Sequence, residues 1–289
     1  MPSDSHQASE VKLIFPRGLS LTYVKNKMAM KIAISGKGGV GKTLLASLLA
    51  RIFVGSGYSV LVVDADPDSN LAATLGFPNS EKITPISEMK DLIQERTGVR
   101  PGEASPFFTL KPKVDDLPEE YALEFNGIKL MVMGRIKKGG TGCYCPENAL
   151  LRSLLTHLLL ARDEVVILDM EAGIEHLGRA TASAVDKLIV VVEPGRRSIE
   201  TAYKINILAK DIGLQSIAVV GNKIHSESER KFLVRSLPSF DFLGFISYDQ
   251  AIVDADLAGR STLDASQQII NEARNIYHTL LSTIQAPTP

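Results

Sequence analysis

Cysteine is scarce in this chain of 289 residues, which has only Cys143 and Cys145, separated by one residue. A disulfide between them would close a very small and strained ring, which argues against a fold held by disulfides. An excess of charge of one sign is also lacking, because 32 Lys and Arg residues nearly balance 33 Asp and Glu residues. The net charge of −1 therefore gives no electrostatic case for nucleic acid or an anionic membrane as a partner.

Long apolar runs are lacking as well. No stretch of the sequence approaches the roughly 20 apolar residues of a membrane span. Residues 1–27 have neither the apolar core nor the small-residue cleavage site of a signal peptide. We therefore expect a cytoplasmic protein without membrane contact, with a single domain at residues 28–289. Residues 1–27 are expected to lie outside that domain, either as an extension or because Met28 or Met30 is the true start.

What the chain does have is an alternation of apolar strands and helical patterns. Strands are predicted at 31–35, 59–64, 128–133, 164–169, 187–192, 216–220 and 242–246. Near-continuous Val, Ile and Leu in these strands predicts an α/β fold, with a mostly parallel sheet covered by helices on both faces. Residues 98–127, rich in Pro, Gly and charge, are predicted to be an insertion.

A phosphate-loop motif follows the first predicted strand. The pattern G-x-x-x-x-G-K-[ST] is formed by Gly36, Lys37, Gly38, Gly39, Val40, Gly41, Lys42 and Thr43. Its glycines let backbone N–H groups turn towards a triphosphate, while Lys42 reaches the β- and γ-phosphates and Thr43 ligates Mg²⁺. Because a strand precedes the motif and a helical pattern at 44–54 follows it, an ordinary glycine turn is the weaker alternative. ATP and Mg²⁺ are the predicted cofactors.

Lys37 places a second lysine beside the phosphates. In this the loop resembles the deviant Walker A loop of MinD, ParA and the nitrogenase iron protein. The resemblance implies a P-loop NTPase of the MinD and nitrogenase iron protein type. It also implies a catalytic role for Lys37, which in those families reaches across a dimer interface to the partner's nucleotide.

Carboxylates follow two further predicted strands. Asp169 ends the strand at 164–169, where it is placed to hold Mg²⁺, although a helix-capping role is the alternative. Asp64, Asp66 and Asp68 lie within five residues and repel one another unless a cation or solvent intervenes. This spacing resembles the D-x-D-P switch segment of MinD and ParA. The resemblance implies that Asp66 positions or deprotonates the attacking water and that Asp64 supports the Mg²⁺ shell, while a solvated acidic turn remains the alternative.

Asn222 is the predicted adenine contact, because an Asn at the end of a strand can bond the edge of the base. A GTPase would carry N-K-x-D here, and His225 occupies the position of that Asp, which favours ATP over GTP. The family places a second adenine-contacting segment at 246–249, although the proline that usually begins it is missing.

The cysteine pair lies in a predicted loop at 134–146. Cys145 precedes Pro146, which is predicted to begin a helix, and the positive end of a helix dipole stabilises a thiolate. Two thiolates from one chain cannot complete a four-coordinate soft-metal site, whereas two copies of the chain supply four. Cys143 and Cys145 are therefore candidate metal ligands that two copies of the chain could share, and two thiols without a ligand role are the alternative.

The segment 133–148 closely resembles the CooC family, the nickel-handling ATPases of carbon monoxide dehydrogenase maturation. Segments 66–69, 83–90 and 170–177 share this resemblance. It implies an ATP-dependent homodimer that binds Ni²⁺ or Zn²⁺ between protomers and supports nickel insertion into the active-site cluster of its client, carbon monoxide dehydrogenase. A sister family that matures acetyl-CoA synthase shares these motifs, so that client stays open.

Two other functions remain as alternatives. A positioning ATPase of the MinD or ParA kind would act through a membrane or DNA, but residues 265–274 are polar and nearly neutral, unlike the basic membrane helix of MinD. An iron–sulfur electron carrier like the nitrogenase iron protein would take its cluster cysteines from distant loops, unlike the C-x-C pair here.

Overall fold

The sheet is the framework of the molecule. The computed structural model describes residues 29–67, 70–103, 107–134, 145–172, 174 and 177–285. Its strands are β1 (Met30–Gly36), β2 (Val60–Ala65), β3 (Leu123–Phe125), β4 (Ile128–Val132), β5 (Val165–Met170), β6 (Lys187–Val192), β7 (Ile217–Ile224) and β8 (Asp241–Ser247). They form one sheet in the order β3-β4-β2-β5-β1-β6-β7-β8, and only the β3–β4 pair is antiparallel. The predicted α/β class with a mostly parallel sheet is confirmed.

Helices cover both faces of this sheet. They are α1 (Lys42–Gly55), α2 (Leu71–Leu75), α3 (Lys90–Thr97), α4 (Leu117–Tyr121), α5 (Pro146–Leu160), α6 (Arg179–Ala182), α7 (Arg196–Asp211), α8 (Glu227–Ser236), α9 (Gln250–Leu257) and α10 (Gln267–Gln285). Because side chains alternate along a strand, β1 sends Ala33 into one core with α5 and α7. Its neighbours Ile32 and Ile34 pack into a second core with α1 and α10. In the part of the chain that the structure describes, no helix is both long enough and apolar enough to cross a membrane.

The predicted insertion at 98–127 contains regular structure that its composition did not indicate. It holds α4 and the short edge strand β3, which turns back onto β4. Asn126 and Gly127 form that turn with φ of 51° and 77°, the left-handed conformation that an Asn-Gly pair favours in a tight hairpin. At the other side of the sheet, β7 runs to Ile224, four residues beyond its predicted end.

Candidate nucleotide site and cysteine segment

The predicted site residues converge at the carboxyl edge of the sheet. β1 and β5 lie side by side, with Ile34 opposite Asp169, and β2 pairs with β5 so that Asp64 lies opposite Asp169. The phosphate loop continues directly from β1 into α1. Three neighbouring parallel strands therefore deliver the loop and both carboxylates to one place, which is where open α/β sheets bind ligands.

The phosphate loop has a conformation that depends on glycine. Gly41 precedes α1 with φ of 95°, and a Cβ there would lie 2.1 Å from Nδ2 of Asn222. The Asn222 amide donates from that Nδ2 to the carbonyl oxygen of Val40 at 2.7 Å. Lys223 donates from Nζ to the carbonyl oxygen of Gly39 at 2.6 Å. Two adjacent residues of β7 thus stabilise the phosphate loop by donating hydrogen bonds to its backbone carbonyl groups.

Asn222 has a role in the structure that its sequence position did not predict. It lies within β7 and is only 3% exposed, and its Oδ1 accepts the backbone N–H of Lys223 at 2.9 Å. The same amide group that was assigned to adenine is thus occupied in bracing the loop. Its contact with adenine stays a prediction.

The second strand contributes a buried carboxylate and a partly exposed one. Asp64 is fully buried, and its two oxygens accept the backbone N–H groups of Asp66 and Leu71, each at 3.2 Å. It therefore ties together both ends of the turn that follows β2. Asp66 Oδ2 lies 3.5 Å from Lys42 Nζ, beside the lysine that is predicted to hold the phosphates. Asp68 lies outside the described residues.

Thr43 and Asp169 form the second half of the predicted Mg²⁺ site. The Thr43 hydroxyl donates to Asp169 Oδ2 at 2.7 Å. Asp169 is 1% exposed, and its Oδ1 is buried without a hydrogen bond to any described residue. Burial raises the pKa of Asp169 to about 7, the Thr43 hydrogen bond opposes this, and the negative charge of Asp64 adds to it. A buried oxygen without a donor, next to a hydroxyl, is a donor set that fits a hard cation such as Mg²⁺.

A groove of about 1100 Å³ opens over these groups. The phosphate loop, Asp66 and Asn222 line one part of it. Tyr248 and Asp249, from the predicted second adenine segment, line another part. A nucleotide would thus have its phosphates at the loop and its base towards the start of α9, although the base contacts themselves stay predictions.

The signature lysine of the loop has a partner that the sequence did not reveal. Lys37 Nζ lies 3.1 Å from Oε1 of Glu193, the residue that follows β6. The other oxygen of Glu193 lies 3.6 Å from Lys223 Nζ. β6 pairs in parallel with β1, so the residues that follow these two strands meet at the same edge of the sheet, but the local sequence pattern does not indicate that pairing.

Cys145 takes the place at the helix start that the sequence predicts. It is half-buried, it is the residue before α5, and Pro146 occupies the first turn of that helix. Cys143 lies outside the described residues, so the pairing of the two thiols at one metal stays a prediction.

Met133, the residue before the predicted cysteine segment begins at Gly134, is joined to the nucleotide site through backbone hydrogen bonds. The N–H of Met133 donates to the carbonyl oxygen of Asp64 at 2.8 Å, and the N–H of Ser87 donates to the carbonyl oxygen of Met133 at 3.1 Å. Gly134 itself has φ of 75°, and a Cβ there would lie 2.2 Å from Ser87 Oγ. The start of the cysteine segment is therefore fixed to the end of β2.

Several known proteins are similar to this chain. Residues 31–263 match the family described as the CobQ/CobB/MinD/ParA nucleotide binding domain. The carbon monoxide dehydrogenase accessory protein CooC of Rhodospirillum rubrum is 45% identical over 258 residues, 88% of this chain and 97% of that protein. An ATP-binding protein of Methanocaldococcus jannaschii without a described function is 43% identical over 254 residues, 87% of this chain and 98% of that protein. A chain of the MinC:MinD cell division complex of Aquifex aeolicus superimposes with a TM-score of 0.64 at 20% identity, covering 90% of this chain and 98% of that one, which confirms the fold type alone.

Proposed function

Because this chain belongs to the CobQ/CobB/MinD/ParA nucleotide-binding family and is an ATPase of that family, we propose that it uses ATP to support nickel insertion into carbon monoxide dehydrogenase. The observation that carries the proposal is the 45% identity with CooC over 97% of that accessory protein. Likeness over nearly the whole of both chains favours a shared client, because a nucleotide domain alone is common to proteins of many functions.

Each functional group at the carboxyl edge of the sheet has a separate role in binding or hydrolysing ATP. Mg²⁺, when bound, offsets charge on the phosphates, and Thr43, Asp64 and Asp169 would hold it and its waters. Lys42 binds the β- and γ-phosphates. Asp66, 3.5 Å from Lys42, orients the attacking water and accepts its proton.

Ni²⁺ or Zn²⁺ is the cargo that the cysteine pair binds. Cys145 lies at the positive end of the α5 dipole, which favours its thiolate form. With Cys143 it supplies two ligands from each protomer, and a homodimer supplies the four that a soft-metal site needs. Lys37 of each protomer would reach the partner's nucleotide, so ATP binding would draw the two cysteine pairs together.

Activation of nickel-free carbon monoxide dehydrogenase by the purified protein tests this function. With Ni²⁺, Mg²⁺ and ATP we expect a gain of dehydrogenase activity that disappears when ATP is omitted and in Cys145→Ser. The matched control is His157→Gln, near the far end of α5, the helix that follows Cys145, and away from the predicted ligands. Equal activation without ATP would contradict the proposal. Activation of nickel-free acetyl-CoA synthase instead would move it to that client.

A further inference from the structure

We propose that Glu193 is a positioning residue that holds Lys37 within its own protomer and releases it when a second copy binds. The inference rests on the proposed ATP-driven homodimer, and it concerns how the dimer is kept from forming too readily. Glu193 is absent from the phosphate-loop motif and from the predicted carboxylate set, so it adds a new member to the site.

The fold fixes Glu193 beside the phosphate loop. β6 pairs in parallel with β1 and places Val191 opposite Gly36, so the residue that follows β6 lies next to the first residues of the loop. The backbone N–H of Glu193 donates to Ser198 Oγ at 3.1 Å, and Ser198 is buried in the first turn of α7. The backbone that carries the carboxylate is therefore anchored at both ends.

The two lysines of the loop have different surroundings. Lys42 is 6% exposed and points inward, with Nζ 3.5 Å from Asp66. The side chain of Lys37 is 38% exposed, and its Nζ lies 3.1 Å from Glu193. An ammonium group this close to a carboxylate must give up that pairing before it can contact a phosphate of another protomer. The structure thus places a competing anion next to the lysine that the dimer requires.

Lys223 makes the release of Lys37 feasible. Its Nζ lies 3.6 Å from the second oxygen of Glu193 and also donates to the carbonyl oxygen of Gly39 at 2.6 Å. When Lys37 departs, Glu193 keeps a positive neighbour, so no carboxylate is left uncompensated beside the phosphates. The backbone of Lys223 has φ of 56°, an unfavourable conformation for a residue with a Cβ. Such strain persists where the surrounding structure requires a particular placement, and here it aims the side chain at the loop.

This arrangement gives Glu193 a definite effect on assembly. Each protomer loses one Lys37–Glu193 pair when the dimer closes, and the dimer therefore loses two. An ion pair at a partly exposed site is typically worth between about 1.4-fold and about 5-fold in an equilibrium constant. Removing both pairs before closure should strengthen ATP-driven dimer formation by about tenfold, which lies within the range of about 2-fold to about 25-fold for two such pairs.

Sedimentation equilibrium with Mg²⁺ and a non-hydrolysable ATP analogue measures that effect. We expect Glu193→Gln to dimerise at about tenfold lower protein concentration than the wild type, in line with the two lost pairs. Glu200→Gln is the matched control, because it removes the same charge from the exposed side of α7 and forms none of the ion pairs found among the described residues. A Glu193→Gln dimer that is as weak as the wild type, or weaker, overturns the inference.

Brief amine acylation of the nucleotide-free protein, read peptide by peptide by mass spectrometry, tests the holding step without a dimer. Lys37 should react several-fold faster in Glu193→Gln than in the wild type, while Lys223, which keeps its bond to Gly39, should change less. Equal Lys37 reactivity in the two proteins overturns the inference. If the wild type fails to dimerise with the analogue, the proposed homodimer itself is wrong. A wild type that dimerises, with an unchanged Glu193→Gln, refutes the role of Glu193 alone.

Discussion

The chemistry of the Asp169 carboxyl group depends on its burial at the end of β5. It is almost fully buried, and its pKa is raised to about 7 mainly because burial penalises the carboxylate form. A cation bound at Oδ1 would reverse that effect by favouring the charged form. The buried Asp169 carboxylate thus lowers the stability of the Mg²⁺-free protein and, for the same reason, favours the binding of Mg²⁺.

The stability of the Mg²⁺-free protein should fall through this group as pH rises. A carboxyl whose folded pKa is about 7 instead of 3.8 contributes most below pH 4, and its contribution is lost between pH 4 and pH 7. At about 1.4 kcal/mol per pH unit, the loss is on the order of 4 kcal/mol. We expect Asp169→Asn to be the more stable protein at pH 8 in a chelator, and to lose the stabilisation that Mg²⁺ gives the wild type.

Urea unfolding at pH 5 and pH 8, with EDTA or Mg²⁺, provides the measurement. Asp163→Asn is the control, because Asp163 is exposed just before the other end of β5. If the wild type and Asp169→Asn lose stability equally between the two pH values, the charge at Asp169 does not control this dependence.

We expect Asp66 to affect the rate of ATP hydrolysis and Lys42 to affect the affinity for nucleotide. Lys42→Ala removes the ammonium that faces the phosphates and should weaken nucleotide affinity. Asp66→Asn keeps the shape beside Lys42 but cannot accept a proton, so binding should persist while single-turnover hydrolysis falls by about 10²-fold or more. Hydrolysis by Asp66→Asn at the wild-type rate would show that another group activates the water.

Among the helices and strands, the sequence predicted those with a strong local pattern. The strand at 187–192 was predicted to the residue, because all six of its residues are buried and continuous apolar character marks a central parallel strand. β3 was missed because it has three residues, two of them exposed, and pairs on one edge only. The start of α5 at Pro146 was predicted, because proline favours the first turn of a helix.

The contacts between distant strands were only partly predictable. Thr43 and Asp169 were assigned to one site because a known motif prescribes both groups, and the structure joins them at 2.7 Å. Glu193 and Lys223 belong to no such motif. Glu193 lies close to both Lys37 and Lys223 because β6 and β7 follow β1 in the order of the sheet. Local patterns carry no information about that order.

A side chain at Gly134 should clash with the turn at 85–87 and disturb the chain that leaves β4. Gly134→Ala would need φ of 75° and would bring its Cβ within 2.7 Å of Pro85 Cβ as well as close to Ser87. We expect a loss of about 2–4 kcal/mol in the free energy of unfolding, from the backbone cost and overpacking together.

Gly98→Ala separates these two costs. Gly98 has φ of 84° with no heavy atom near the added Cβ, so its replacement should cost only about 1 kcal/mol. Urea unfolding of both variants gives the comparison. Equal losses would mean that the turn at 85–87 yields easily and does not fix the start of the cysteine segment.

The nucleotide site and the beginning of the predicted cysteine segment at Gly134 are linked through the end of β2. Asp64 holds the turn after β2 with its carboxylate, and its backbone carbonyl accepts the N–H of Met133. A movement of that turn during hydrolysis would therefore displace the backbone next to Gly134, where the predicted cysteine segment begins. In a homodimer, the same closure would assemble both nucleotide sites and the shared thiolate site.

Metal and ATP should consequently strengthen each other's binding by the same factor, because both would favour the closed dimer. Elemental analysis should find one Ni²⁺ or Zn²⁺ per dimer. Metal titrations with and without a non-hydrolysable ATP analogue should show tighter metal binding with the analogue, and metal should tighten the binding of the analogue by the same factor.

The affinity for metal should fall as pH is lowered, because the thiolates protonate. Cys143→Ala or Cys145→Ala should remove two of four ligands and eliminate tight metal binding while nucleotide binding persists. One metal per monomer, or full binding by Cys143→Ala, would place the metal within one protomer and break the link between the two sites.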